Sequence, residues 1–337
     1  MKRPVSGQVI VIAGASSGIG RATARAAGAR GASVVVSARN AAALDHAVAE
    51  IEAAGGAAIA VPGDAASDAD AESLCARAVE RFGRIDTVVD SVMVTVYAEA
   101  AELEHEELRR VLDVNFLGRA RLFTAALPHL RASRGTYVDV NSALAYRGIP
   151  LQAAYCASKA AARAYFESAR VEEEKHGTGV AVCLVLPGAF NTPQFDRARQ
   201  KLGLQPQPVP PIYQPELAAA AILHCAEQPE RELPVSFGAQ KLLWGQKLSP
   251  RAGDLVLLRN GWDGQTTGEP KPVDSNDNLW ETLPEDPGAH GRFDARSRAG
   301  SGWTAARLRL GKVGSVAVLA APALAALIGY HGVTKRR

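Results

Sequence analysis

The segment Ala154-Tyr155-Cys156-Ala157-Ser158-Lys159 sets an ammonium four residues after a phenol, and Ser142 stands thirteen positions before the tyrosine. Positions i and i+4 share one face of a helix, so a helical segment brings Lys159 beside Tyr155. Phenol, ammonium and hydroxyl together suggest proton transfer to or from a carbonyl oxygen. A free tyrosine titrates near pH 10, too high for work at neutral pH, and a neighbouring positive charge favours the phenolate. A Tyr-x-x-x-Lys pair by itself is equally an ordinary helix surface, so its meaning depends on what else the chain supplies.

The N-terminus supplies a second motif. Gln8-Val9-Ile10-Val11-Ile12-Ala13 is an apolar run of strand character, followed at once by Gly14-Ala15-Ser16-Ser17-Gly18-Ile19-Gly20 and then an alanine-rich helical stretch. Strand, glycine turn and helix form the setting of a dinucleotide-phosphate site, where glycines admit a pyrophosphate close to the backbone and the helix start offers unpaired N–H groups. Gly14, Ser16, Ser17, Gly18, Ile19 and Gly20 are therefore candidate cofactor-binding residues. The plainer reading is a tight turn that uses glycine only for its permissive dihedrals. A second strand-like run, 32–37, ends at Ala38-Arg39-Asn40, where an acid would hold a ribose 2′-hydroxyl. Arg39 stands there instead, and its guanidinium fork suits a 2′-phosphate, which predicts NADP(H). The competing reading of Arg39 is a solvated loop arginine.

Gly14-x-x-x-Gly18-x-Gly20, Asn115 in Val114-Asn115-Phe116-Leu117-Gly118, Ser142, Tyr155 and Lys159 fall in the order and spacing of a known family. From about Gln8 to Phe237 the chain resembles the short-chain dehydrogenase/reductases. That resemblance implies Tyr155 as general acid/base and Ser142 as hydrogen-bond partner of the substrate oxygen. It also implies that Lys159 holds the nicotinamide ribose and lowers the tyrosine pKa, and that Asn115 anchors a water in a proton relay. Asp64 is implied at the adenine, and Pro187, Gly188 and Thr192 beside the nicotinamide amide. A homo-oligomer formed through the helices carrying Asn115 and Tyr155 follows on the same ground.

The implied activity is an NADP(H)-dependent interconversion of a carbonyl and an alcohol. One stretch departs: Asp90-Ser91-Val92-Met93 stands where the family usually shows Asn-Asn-Ala-Gly. Val92 and Met93 should reshape the wall at the adenine ribose, and Asp90 replaces an amide with an acceptor-only group. This motivates the alternative of a non-catalytic NADP(H)-binding regulatory or scaffold protein.

Strand-like and helical runs alternate along the chain, which predicts an α/β, doubly wound Rossmann-type fold with a single parallel sheet and helices on both faces. Further strands are expected at 58–61, 85–89, 135–141, 180–186 and 233–237, and helices at 41–54, 68–82, 104–130, 155–175 and 215–227. Three regions follow: a catalytic domain over 1–240, an irregular extension over 241–300, and an apolar C-terminal helix with basic flanks over 301–337. The formal net charge of +3 gives no electrostatic case for nucleic acid. Cys75, Cys156, Cys183 and Cys225 show neither metal-ligand nor disulfide spacing, which predicts no metal site and a reducing, cytoplasmic setting. Met1-Lys2-Arg3-Pro4 is followed too closely by the first strand to be a secretory signal.

Substrate choice is expected in the segment after Pro187-Gly188, because ligand crevices in open α/β sheets are built by loops beyond the strand ends. Phe190, Phe195, Ile212 and Tyr213 in it either line an apolar pocket, for an apolar alcohol or ketone, or pin the loop to the domain. The Gly- and Pro-rich stretch 259–299 reads either as an extension docked through Trp262, Trp280 and Phe293 or as a disordered linker. Residues 313–330 carry no charge over eighteen positions, with basic residues on both sides. They are read either as a membrane-associated tail or as a helix packed on protein.

Overall fold

The computed structural model describes residues 3–311. Val9–Ala13 (β1), Ser33–Ser37 (β2), Ala57–Ala60 (β3), Thr87–Asp90 (β4), Thr136–Val140 (β5), Ala181–Pro187 (β6) and Glu232–Val235 (β7) form one parallel sheet. Their order is β3-β2-β1-β4-β5-β6-β7. Chain order reverses between β1 and β4, and the crevice at such a switch point is where open α/β sheets bind ligands.

Valine and isoleucine runs make these strands because both faces of the sheet are covered: all five residues of β1 are buried. Alternate residues of β1 divide between two cores. Ile10 and Ile12 pack on one face with Ala24 and Ala27 of Gly18–Ala29 (α1), Leu44 and Ile51 of Ala41–Ala53 (α2), and Ile222 of a later helix, Pro215–Glu227. Val11 and Ala13 face Leu74 and Cys75 of Asp68–Phe82 (α3) on the other. Leu122, Phe123 and Phe166, from helices introduced next, complete that second core.

The helix expected at 104–130 is three pieces: His105–Leu112 (α4), a π-helical turn at Asp113–Leu117, and Gly118–Ser133 (α5). Asn115 lies in the widened turn, a feature frequent at functional sites. Ala153–His176 (α6) carries Tyr155 and Lys159, and Pro215–Glu227 (α7) precedes β7.

Beyond β7 the structure corrects the expected boundaries. Phe237–Leu248 (α8) and Pro250–Asn260 (α9) are regular helices, so a division at 240/241 would cut through α8, and irregular structure begins only at Gly261. From there the chain runs back across the domain. Phe293 is buried against Phe195, with ring centroids 5.9 Å apart, and Leu279 is fully buried, whereas Trp262 and Trp280 stay largely exposed. Domain side chains that donate to its carbonyls and ion pairs such as Arg21–Asp286 hold the extension down, and Trp262 adds a hydrogen bond to Glu99. A further helical run covers 302–311. The apolar residues 313–330 lie outside the described residues, and no described helix is long and apolar enough to cross a membrane.

Candidate active site

A cleft of about 430 Å³ opens at the C-terminal ends of the central strands, lined by Gly14, Arg39, Asp64, Ser142, Tyr155 and Lys159 among others. One wall of it is the glycine turn. Gly14 has φ +79°, and a Cβ there would lie 2.8 Å from both the Ser91 carbonyl carbon and the Val92 nitrogen. Glycine is thus required twice over, by its dihedral and by the close approach of the chain leaving β4. A Cβ on Gly20 would fall 2.2 Å from the Gly14 carbonyl oxygen, which fixes how tightly α1 sits on the turn. Ser17 is the N-cap of α1 but its side chain caps no N–H, so the helix start remains open to an anion. Ser16, Ser17, Gly18 and Ile19 all line the cleft, as do Pro187, Gly188 and Thr192 on the facing side.

Asp90, the departure after β4, belongs to a buried charge network. Its carboxylate accepts hydrogen bonds from the Tyr137 hydroxyl at 2.9 Å and the Val92 N–H at 3.2 Å. Arg119 of α5, also buried, donates to the carbonyls of Asp90, Val92 and Val140 at 3.0, 2.7 and 3.2 Å and is ion-paired with Asp139. Burial pushes the Asp90 carboxyl up, with Arg119 pulling it back. Asn141 carries the network onward, its amide donating to Asp139 at 2.6 Å and to the Lys159 carbonyl at 3.3 Å. One arginine therefore joins the ends of β4 and β5 beneath the residues that could do chemistry.

Those residues meet on the cleft floor. Ser142 and Tyr155 both line it, and the serine oxygen accepts from the Leu144 N–H at 3.1 Å. Lys159 donates to the Val140 carbonyl at 3.0 Å and lies 5.5 Å from the Tyr155 ring centroid. Burial pushes the Tyr155 phenol up to about 12, with neighbouring Ser142 and the Arg119 charge pulling it back. Burial also drives the Lys159 ammonium well below its ordinary value, with the Arg119 charge adding to the effect.

Asn115 is fully buried and stands apart from this group. Its side chain is used by Val94, accepting from the N–H and donating to the carbonyl, both at 2.8 Å, and by Ser158 at 3.1 Å. It pins the loop after β4 to the π turn.

Arg39 and Asp64 line the far end of the cleft. The two terminal nitrogens of Arg39 donate to the carbonyls of Asn278 and Trp280 at 2.6 and 2.8 Å. Asp64 pairs with Arg110 at 2.9 Å. Against the cost of burial, the Ala66 N–H and Arg110 hold its carboxyl below the usual range. The extension forms the outer wall here: Asn40 donates to the Leu283 carbonyl at 2.9 Å, buried Arg21 pairs with Asp286, and the Gly18 N–H donates to the Gly288 carbonyl at 3.1 Å. No sequence motif announces this wall, because backbone carbonyls make most of it.

Phe190 and Phe195 line the opposite end of the cleft, with Leu144, Ile149, Val209 and Leu242. Ile212 and Tyr213 do not line it; they pair with Ser297 and Arg298, so half of that apolar group pins the loop. Tyr97 and Gln152 are polar residues of this wall. Gln152 sits three residues before Tyr155, the one hint of its place in the sequence, whereas Tyr97 had none.

This arrangement, a glycine turn at the switch point with serine, tyrosine and lysine converging beside it, matches what known proteins show. Residues 8–203 match the short-chain dehydrogenase family model, and the chain belongs to that family. It is 32% identical over 333 residues to the uncharacterized oxidoreductase YxnA of Bacillus subtilis, covering 98% of this chain and 91% of that protein. It is 34% identical over 261 residues to L-fucose dehydrogenase of Mus musculus, covering 72% of this chain and 92% of the mouse enzyme. Among solved structures, an alcohol dehydrogenase from the archaeon Thermococcus sibiricus, complexed with 5-hydroxy-NADP, superposes with a TM-score of 0.59 at 27% identity. That match covers 67% of this chain and 95% of the archaeal one. The protein is an oxidoreductase of the short-chain dehydrogenase family with a Rossmann-type nucleotide-binding fold.

Arg119→Met removes the charge that balances Asp139 and leaves three buried carbonyls without their donor. Urea unfolding should show a loss of about 3–5 kcal/mol, the range for breaking a buried ion pair from one side.

Proposed function

We propose that this protein is an NADP(H)-dependent carbonyl reductase or alcohol dehydrogenase for an apolar substrate, with Tyr155 as general acid/base. The observation that carries the reading is the convergence of Ser142, Tyr155 and Lys159 on one cleft, with the lysine nitrogen 5.5 Å from the Tyr155 ring centroid. The nicotinamide supplies the hydride, and the chain's residues handle the oxygen and its proton. The Ser142 oxygen accepts from Leu144 N–H, which turns its own proton toward Tyr155 or a substrate oxygen. A phenol raised to about 12 is protonated at neutral pH and serves as a donor, which favours reduction.

The dinucleotide fits the residues present. Gly14, Ser16, Ser17, Gly18 and Ile19 line the cleft, and the start of α1 is uncapped by side chains. Gly14, Ser16, Ser17, Gly18, Ile19 and Gly20 would hold the pyrophosphate, Asp64 the adenine side, Lys159 the nicotinamide ribose, and Pro187, Gly188 and Thr192 the nicotinamide amide. Arg39 would read the 2′-phosphate: a guanidinium has five N–H donors, and only two are spent on the extension. The archaeal relative's complex with an NADP derivative supports this choice.

Asn115 acts through position, holding Val94 and the π turn. Exposed Leu117 in the π turn and Val171 on α6 support a homo-oligomer formed through these helices, and four buried free cysteines support a reducing, cytoplasmic setting. The non-catalytic alternative rested on Asp90-Ser91-Val92-Met93. Since that segment keeps its close backbone approach to Gly14, the enzyme reading is preferred; NADPH binding without turnover of any ketone or aldehyde in a broad panel would reverse the preference.

Tyr155→Phe should lower turnover by about 10²-fold or more while NADPH binding, followed by fluorescence, is kept. Substantial remaining turnover would reassign the acid/base. Arg39→Ala should weaken NADPH about tenfold or more while leaving NADH nearly unchanged; equal weakening of both would make Arg39 only an anchor of the extension. Alcohol oxidation needs the phenolate, whose fraction grows about tenfold per pH unit below the pKa. Its kcat/KM should therefore rise across neutral to alkaline pH while that of carbonyl reduction stays flat, and a flat oxidation profile would exclude Tyr155 as the base.

A further inference from the structure

Most large apolar side chains that the described residues leave exposed gather at one corner. Leu248, Leu258 and Val256 are 85%, 65% and 59% exposed, with Trp244, Leu255 and Trp262 also open to solvent. All six come from α8, α9 and the residues just after them, and α9 buries none of its residues. Exposed apolar side chains concentrated on two helices packed against each other suit an interaction site.

The helical run over 302–311 joins the same corner: the Trp303 ring lies 6.1 Å from Trp244 and 5.8 Å from Phe237, and Leu310 farther along is exposed. The described residues end at Gly311, and after Lys312 the sequence carries no charge over the eighteen residues 313–330. Over 237–261 the charges are Lys241, Lys247, Arg251 and Arg259 against Asp254 alone. The corner also adjoins the cleft, since Leu242 of α8 and half-exposed Val209 line it.

We propose that α8, α9 and the helix over 302–311 form a face that docks on an anionic bilayer surface and sets the cleft mouth against it. Apolar side chains with tryptophans among them and a surplus of lysine and arginine suit the boundary between headgroups and acyl chains. A second copy of the chain fits less well, because a self-complementary contact would bring the basic surplus of each copy together. The apolar sequence at 313–330 continues from this face rather than from a distant one.

The test is sedimentation of the full chain with vesicles of equal parts phosphatidylcholine and phosphatidylserine, beside vesicles of phosphatidylcholine alone. The parent should pellet with the first, less with the second, and less again as salt is raised. Leu248→Glu with Leu258→Glu touches no core residue and should keep the parent's urea midpoint, yet lower partition about tenfold or more. Lys247→Gln with Arg251→Gln should remove most of the preference for phosphatidylserine. A parent that does not pellet overturns the proposal. So does partition unchanged by the Leu248→Glu/Leu258→Glu pair, which would place any lipid affinity elsewhere. A parent that stays off vesicles but falls to a smaller particle by light scattering when those two leucines are changed would make a second copy the occupant. Partition is read without turnover, so it stands or falls apart from the reductase reading.

Discussion

A buried guanidinium must have its charge answered and its donors used, and the site is built around how Arg119 meets that demand. It reaches across the ends of β4 and β5, taking carbonyls from Asp90, Val92 and Val140 and the carboxylate of Asp139. These contacts hold the chain leaving β4 next to the chain leaving β5. Val140 in turn receives the Lys159 ammonium, and Ser142 is two residues further on. Moving Arg119 would therefore disturb the serine, the lysine and the wall of the nucleotide cleft together. Its charge also falls on Tyr155, in the direction that favours phenolate.

The same network explains how an unusual segment after β4 coexists with a close-packed glycine turn. Only backbone atoms of Ser91 and Val92 stand against Gly14, so the identity of their side chains leaves that contact intact. Asp90 directs its carboxylate away from the turn, to Tyr137 and the Val92 N–H, where an acceptor-only group suits two donors. An acid at 90 and an acid at 139 flank one arginine, and this local balance lets three ionisable groups be buried together.

The fold was legible in the sequence because a parallel sheet buried on both faces writes long apolar strands separated by amphipathic helices, and α3 and α7 fall where their periodicity ends. The Ser142, Tyr155 and Lys159 group was legible because α6 sets an i,i+4 pair on one face and β5 ends beside it. Three kinds of information were hidden. The π turn at Asn115 costs no change of composition, so 104–130 reads as one helix. The Arg119 network joins residues distant in sequence, and no spacing rule links 90, 119 and 139. Residues 261–300 have the Gly and Pro content of a loop, yet they are held by carbonyls, which every residue type carries equally.

The extension over the nucleotide end must be reconciled with a ligand there, and donor counting shows how. The Gly18 N–H is given to Gly288, but α1 retains the other N–H groups of its first turn, uncapped by any side chain. Arg39 keeps three of its five donors after Asn278 and Trp280 take theirs, so a phosphate and the extension can be held at once. Arg21, by contrast, is committed: Glu50 and Asp286 both pair with it, and its remaining bonds go to the carbonyls of Ser16 and Ala43. Arg21 therefore fastens the extension to α1, whereas Arg39 has donors left over for an anion. The match to YxnA over 98% of this chain takes in the extension as well as the domain.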